Sequence, residues 1–568
     1  MPVAAGVAPG GEFGPDLVEE FGQAGVASRL DGREGRGRSF ARALRKFLLT
    51  ALLVTAAFAV FVNVWYRTGY TPFGTAGFAE AAFAFFGYAR FVAIPVAVFA
   101  FLYQRGQPTK TLAWVALMLG LPFAGTVVYL FFGLNMRHDL RFRRKQRRDA
   151  EAMSHYESTV NDTSGADLFA ALTRSRGSEA LARQRELVCR TTGAEPSSVH
   201  DYCVYHDGAA LFEQLVEDID AARHHVHVEY FLYEDDYLGE RVAAAMRRAA
   251  KRGVEVRVIY DAVGSRSTSR RFWRKLAQAG VEVTPFFAVH FRHLASRINY
   301  RNHRKIVVVD GETGYTGGMN VAKQYIEGLE GVEAVPEGHW RDTHVRLRGH
   351  AVSHLQLIFA FDWRFSNDIE LTGAPYFRTD FAEAACVPVQ IASSGPDTPR
   401  NNIKYAYFNI LTRAERYCYL VTPYFAPDNS MLSAMKTAAL SGIDVRLLLP
   451  RRSDSLLVTL ASNSFVAELL EAGVGVYHYT AGMLHSKVIV SDDVVVSIGT
   501  ANMDARSHDL NFEVNAMLYD VALAERERAV LEADMRERCT RLTTDNWPSP
   551  RLHIRLARGF ARVFSPLL

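Results

Sequence analysis

Two short runs of polar residues hold the groups able to do chemistry. The first reads His303-Arg304-Lys305-Ile306-Val307-Val308-Val309-Asp310, followed by Gly317-Gly318-Met319-Asn320. The second reads His485-Ser486-Lys487-Val488-Ile489-Val490-Ser491-Asp492, followed by Gly499-Thr500-Ala501-Asn502. Counted from each His, Lys stands at +2, Asp at +7, Gly at +14 and Asn at +17 in both. Core packing gives no reason for identical polar residues at identical offsets. The β-branched residues after each Lys predict a strand, where side chains at i and i+2 share a face. H-x-K therefore aims an imidazole and an ammonium into one cleft. An imidazole attacks or shuttles protons and an ammonium holds an anion, so nucleophilic and acid–base catalysis on an anionic group is expected. Asn320 and Asn502, after tight Gly turns, are expected to add neutral donors.

The elements that must position these runs also repeat. A strand over 226–232, a helix over 238–249 and a strand over 254–260 are matched by a strand over 419–422, a helix over 430–439 and a strand over 445–449. The joins agree too, Gly253-Val254-Glu255-Val256 against Gly442-Ile443-Asp444-Val445. Short apolar β-branched runs alternating with helical patterns indicate α/β architecture, here in two similar halves. The expected organisation is a mobile tail over 1–40, an apolar membrane region over 41–135 and a basic juxtamembrane linker over 136–196. The halves follow over 197–385 and 386–548, with an amphipathic helix over 549–568.

The chain of 568 residues is 49% hydrophobic and 22% charged, which excludes a disordered or fibrous class and leaves ample material for a core. With 65 basic against 61 acidic residues the charge is nearly balanced, arguing against a general polyanion binder. Cys189, Cys203, Cys386, Cys418 and Cys539 are scattered without a C-x-x-C pair, favouring a reducing compartment over a disulfide framework or zinc ribbon. Apolar runs at 47–65, 81–103 and 111–134 predict transmembrane helices, each long enough for a hydrocarbon core of roughly 30 Å. Seven basic residues precede the first run and seven follow the last. That places both flanks in the cytoplasm and demands an even number of crossings, against three apolar runs. The cluster from Arg137 to Arg148 is expected to meet anionic lipid.

The doubled H-x-K-x4-D with its Gly-rich turn and Asn resembles the phospholipase D superfamily, and the wider text is similar to the bacterial cardiolipin synthases. Trp114 with Pro122, Gly125, Tyr129 and Gly133 resembles their membrane segment. Glu229-Tyr230, Trp340-Arg341-Asp342-Thr343-His344, Pro423-Tyr424-Phe425, Asn502-Met503-Asp504 and Asn511-Phe512-Glu513 resemble their catalytic halves. The likeness covers roughly 81–568. It implies two mixed β-sheets flanked by helices, facing each other across one site, and no metal or other cofactor. It also implies phosphodiester exchange in which one His forms a phosphohistidine while the other protonates the departing alcohol and then deprotonates the incoming one.

By resemblance His303 is the nucleophile and His485 the acid/base, an order the residues alone leave open. Glu513 matches a carboxylate that orients an active-site His, with Asp342 as candidate for the opposite half. Lys305 and Lys487 clamp the phosphate, while Asp310 and Asp492 complete the motifs and are expected to hold the turn beyond each strand. The implied reaction joins two phosphatidylglycerol molecules into cardiolipin and glycerol at a membrane. Alternatives are a hydrolase, a transferase using another phospholipid, or a membrane-tethered nuclease. The nuclease requires a broad basic groove, which the near-neutral halves do not offer, so no nucleic acid partner is expected.

His225, His227 and Glu229 would share a strand face as a metal site might, but local strand and helix punctuation explains them without one. Asp235 and Asp236 read as turn residues and Arg451-Arg452 as a solvated face. At the C-terminal end, Arg555, Arg558 and Arg562 alternate with Leu552, Leu556, Phe560 and Val563, fitting either a surface helix on a bilayer or a docking helix.

Overall fold

The computed structural model describes residues 93–98, 108–129, 136–287, 300–326, 340–373, 375–381, 384, 386–547 and 550–564. The chain divides into two compact units, one up to Leu134 and one from Asn135. The expected tail and the first apolar run lie outside the described residues, as does most of the second run.

The first unit corrects the expectation of transmembrane helices. Its 111–134 run is not one helix but α1 (Pro108–Gly120) and α2 (Pro122–Val128), of 13 and 7 residues. Among the described residues no helix is long and apolar enough to cross a membrane. The break falls at Leu121, which leaves helical geometry (φ −124, ψ 74) before Pro122. A proline ring disfavours the α region for the residue before it and supplies no N–H to the helix. Thirteen residues rise only about 20 Å, short of a hydrocarbon core. The two helices pack closely where Gly125 faces Leu117, since a Cβ there would sit 2.4 Å from the Leu117 carbonyl oxygen. Trp114 and Tyr129 close this core edge to face at 5.5 Å.

The second unit opens with α3 (Met136–Val160), α4 (Thr163–Arg176) and α5 (Glu179–Thr192) over the stretch read from sequence as a linker. Its basic cluster does not all face solvent. Lys145 is buried against Asp149, Asp362 and Asp397 at 2.7, 3.2 and 2.7 Å, and these carboxylates outweigh the cost of burial and raise its pKa. Arg148 pairs with Asp368 at 2.8 Å.

Two sheets follow. In chain order their strands are β1 (Ser197–Val199), β2 (Asp201–Tyr205), β3 (His225–Tyr230), β4 (Glu255–Tyr260), β5 (Glu282–Pro285), β6 (Ile306–Val309), β7 (Thr313–Gly317) and β8 (His344–Arg348). Then come β9 (Val387–Ser394), β10 (Tyr417–Val421), β11 (Asp444–Pro450), β12 (Gly475–Tyr479), β13 (Val488–Ser491), β14 (Val495–Gly499), β15 (Asn511–Leu518) and β16 (Cys539–Arg541). The first sheet runs β2-β8-β7-β6-β3-β4-β5 and the second β1-β9-β15-β14-β13-β10-β11-β12-β16. Without β1 and β16 the orders match strand for strand, so the repeat seen in sequence is a repeat of topology. β1 sits on the second sheet, paired with β9, although it precedes the first half.

Every residue from Ile306 to Val309 and from Val488 to Ser491 is buried, because each sheet is covered on both faces. Ile306 and Val308 meet Val488 and Val490 in a layer between the sheets. Val307 and Val309 face outward under α6 (Gly208–Ala221) and α7 (Tyr237–Lys251). On the other side Ile489 packs under α9 (Asn402–Arg413) and α10 (Asn429–Leu440). Between these lies α8 (Val352–Asn367), which adds Val352 and Leu355 to the central layer. The result is helix, sheet, a central layer that includes α8, sheet and helix, with each H-x-K run lying just ahead of an inner strand and not within it.

Candidate active site

Each catalytic strand is entered through the other half. Arg301-Asn302 pair in parallel with Asn511-Phe512, and the His303 N–H donates to the Phe512 carbonyl at 2.9 Å. Met483-Leu484 pair in parallel with Trp340-Arg341, and the His485 N–H donates to the Arg341 carbonyl at 2.8 Å. The residue after each partner segment is a carboxylate, and it reaches the imidazole beside it. His303 Nδ1 lies 2.9 Å from Glu513 Oε2, and His485 Nδ1 lies 2.6 Å from Asp342 Oδ2. The two halves thus exchange carboxylates reciprocally. A carboxylate on Nδ1 fixes the ring and its tautomer and leaves Nε2 for the cleft.

His303, His485, Lys305, Lys487, Glu513 and Asp342 are all buried, each less than a tenth exposed. Burial depresses the pKa of both imidazoles. Lys487, 2.8 and 3.2 Å from the two ring nitrogens of His485, adds to that and takes His485 to about 4. His303 is also lowered by burial, against the opposing pull of Glu513. Lys305 falls to about 7 through burial and repulsion from Lys487, and Lys487 falls to about 8 through burial. Burial opposes ionisation of the carboxylates too, but His303 and Lys305 hold Glu513 below the usual range, as Lys487 and His485 hold Asp342. The two ammonium groups repel each other, and Glu513 and Asp342 are the negative charges beside them, with Asp342 Oδ2 4.0 Å from Lys487 Nζ.

The Gly turns deliver Asn320 and Asn502, both buried. Asn320 donates from Nδ2 to the Tyr325 hydroxyl at 2.9 Å, and Asn502 Oδ1 has no hydrogen-bond partner among the described residues. Asp310 and Asp492 stand apart. Each takes φ near +54° in the turn past its strand and accepts three backbone N–H bonds. Asp310 takes those of Arg223, His224 and His225, and Asp492 those of Glu415, Arg416 and Tyr417. They fasten the hairpin to the neighbouring strand at the end away from the histidines.

His225 and His227 are core side chains. His227 stacks on Phe359 at 4.5 Å and bonds Gln356 at 2.9 Å, while Glu229 takes a bond from Asn302. Arg304, between His303 and Lys305, pairs with Asp362, which also holds Lys145. Through these pairs α3 braces the first catalytic strand.

Several neighbours escaped the sequence reading. The Thr500 hydroxyl donates to Glu513 at 2.5 Å, the Tyr325 hydroxyl lies 3.2 Å from His485 Nδ1, and Phe231 meets the His303 ring at 5.0 Å. One signal was available, because the aligned motifs differ at +15, Gly318 against Thr500. At Gly318 a Cβ would lie 2.0 Å from Asp342 Oδ1, so the first half needs a glycine where the second uses a hydroxyl.

Paired sheets sharing one cleft with two H-x-K strands define a phospholipase D-type fold. A solved phosphatidylserine synthase from Haemophilus influenzae shares that fold, with a TM-score of 0.51 and 14% identity over 68% of this chain and 99% of its own. The model described as "Cardiolipin synthase, PLD-like domain" matches residues 215–332 and 407–535, and "Phospholipase_D-nuclease N-terminal" matches 91–133. Cardiolipin synthase 2 of Bacillus anthracis is 38% identical, covering 82% of this chain and 88% of that one. The major cardiolipin synthase of Bacillus subtilis is 36% identical over 84% and 97%. The chain belongs to the cardiolipin synthase family, and it is a phosphatidyltransferase of the phospholipase D type.

Proposed function

We propose that the cleft transfers a phosphatidyl group between two phosphatidylglycerol molecules, with the paired histidines in the roles the resemblance gives them. The observation that carries this is the reciprocal exchange of Glu513 and Asp342, which turns Nε2 of His303 toward the reacting phosphate and sets Nε2 of His485 beside the Lys487 ammonium at 3.2 Å. Nε2 of His303 attacks phosphorus, the bond to the headgroup glycerol breaks, and His485, taking up a proton once the phosphate brings negative charge beside it, gives that proton to the departing alkoxide. The terminal hydroxyl of the second lipid then loses its proton to His485 and attacks the phosphohistidine. Phosphorus–nitrogen cleavage releases cardiolipin and restores His303. Lys305 and Lys487, both protonated once the phosphate adds its negative charge, neutralise the equatorial oxygens. Asn320 and Asn502 serve as polar supports of the phosphate, as the resemblance implies.

The substrates reside in a bilayer, so the reaction belongs at a membrane surface.

The test is product analysis with the full chain in labelled phosphatidylglycerol vesicles beside the His303→Ala variant. Cardiolipin plus glycerol, lost in the variant, is the expected result. Phosphatidic acid would make water the acceptor, and no product would move the donor to another phospholipid.

A further inference from the structure

The helix near the C-terminal end is built inside out. We label it α13 (Leu552–Phe564); it packs on α11 (Leu456–Asn463), and α12 (Val521–Glu537) precedes it. The face it turns to the protein carries one large apolar residue, the half-buried Ile554, and is otherwise small and basic. Ala561 is buried, Arg562 reaches Glu468 at 2.7 Å, and the Arg558 guanidinium lies over Trp547 at 4.6 Å. Its other large apolar residues point the other way. Leu552, Leu556 and Val563 are 71%, 65% and 68% exposed. At 3.6 residues per turn these three fall within about 40° of one another, opposite Ala561. Arg551 and Arg555, both exposed, flank the stripe. At the start of α11, Leu456 is 75% exposed.

This apolar surface adjoins the cleft. Asp454, two residues before Leu456, accepts a hydrogen bond from the Tyr424 hydroxyl at 2.9 Å, and the Tyr424 ring lies 6.1 Å from the His485 imidazole. A leucine stripe left in water beside arginines matches a helix lying in the plane of a headgroup layer. There the apolar face enters the acyl boundary and the guanidinium groups meet lipid phosphates. We propose that α13 and the first turn of α11 dock on an anionic phospholipid surface and so hold the mouth of the catalytic cleft against the headgroups. The proposal rests on the reading that the substrates are bilayer phospholipids.

The test uses the full chain carrying Leu552→Ser, Leu556→Ser and Val563→Ser together. Turnover of phosphatidylglycerol in vesicles should fall about tenfold or more, while turnover of monomeric dihexanoyl-phosphatidylglycerol in detergent stays at the wild-type level. Equal loss on both substrates, or no loss on vesicles, overturns the proposal. So does loss of a dimer in light scattering with vesicle turnover intact, which would give the stripe to a second copy. A second variant, Leu556→Trp, is read by quenching from acyl-brominated phosphatidylglycerol vesicles. Quenching beyond that of the wild-type chain is expected, and equal quenching overturns the docking. This reading stands even if the wild-type enzyme turns over neither lipid, an outcome that would instead sink the proposed function.

Discussion

At the scale of single residues, the site is a set of buried charges poised by one another. Glu513→Gln and Asp342→Asn keep shape but remove the charge opposite each Nδ1. Turnover in labelled vesicles should fall on the order of 10²- to 10⁴-fold in each, and wild-type turnover in either would remove that carboxylate from the mechanism. The lysines make activity and stability run in opposite directions with pH. Lys305 and Lys487 must be protonated to hold phosphate, so kcat/KM should decline as pH rises through about 7 to 8. An unfolded Lys305 keeps its proton up to its ordinary value of 10.5, against about 7 when folded. Between those values the unfolded chain binds more protons, and raising the pH stabilises the fold. The Lys305→Met variant lacks this dependence. Its advantage in thermal midpoint over the wild type should be largest near pH 7 and shrink toward pH 10; a gap that stays constant would mean Lys305 is not forced to carry its charge in a buried site.

At the scale of elements, the hairpins and turns convert spacing into geometry. Asp310 gathers three backbone N–H groups in a turn with positive φ. Asp310→Ala should cost about 1–3 kcal/mol of stability. It would appear as a lower thermal midpoint with phosphohistidine still formed; complete loss of phosphohistidine in folded protein would bring Asp310 into the chemistry. Gly318 is required for a different reason. A methyl group there would collide with Asp342, so Gly318→Ala should lose turnover as Asp342→Asn does, and full activity would show that the carboxylate has other room. In the first unit, Pro122 decides what an uninterrupted apolar run does not. Hydropathy alone reads 24 residues as one span, while the backbone breaks at the residue before the ring.

At the scale of the whole molecule, the central layer between the sheets makes the two halves one catalytic body. Ile306, Val345, Val488 and Val514 share it, and each histidine depends on a carboxylate from across it. Mixing the His303→Ala and His485→Ala proteins should therefore restore no turnover. Recovery would require halves to exchange between chains, which the shared core opposes. The outward leucines of α13 belong to this scale as well, since their exposure is set by which face the rest of the fold leaves for the helix to use.

The duplicated offsets and the Gly turns determined a great deal by themselves: two equivalent halves, an imidazole and an ammonium just ahead of each inner strand rather than on it, and turn roles for Asp310 and Asp492. Those are local properties, fixed by spacing along the chain and by backbone conformation in a tight turn. The resemblance named Glu513 and Asp342 as orienting carboxylates, and tertiary structure decided which imidazole each one touches. Glu513 lies 210 positions from His303 and Asp342 lies 143 from His485, and no periodicity spans such distances. It also decided that Lys145 is buried among three carboxylates and that α13 turns its leucines outward. Packing chooses which face of an element is covered, and a sequence pattern names only the faces available.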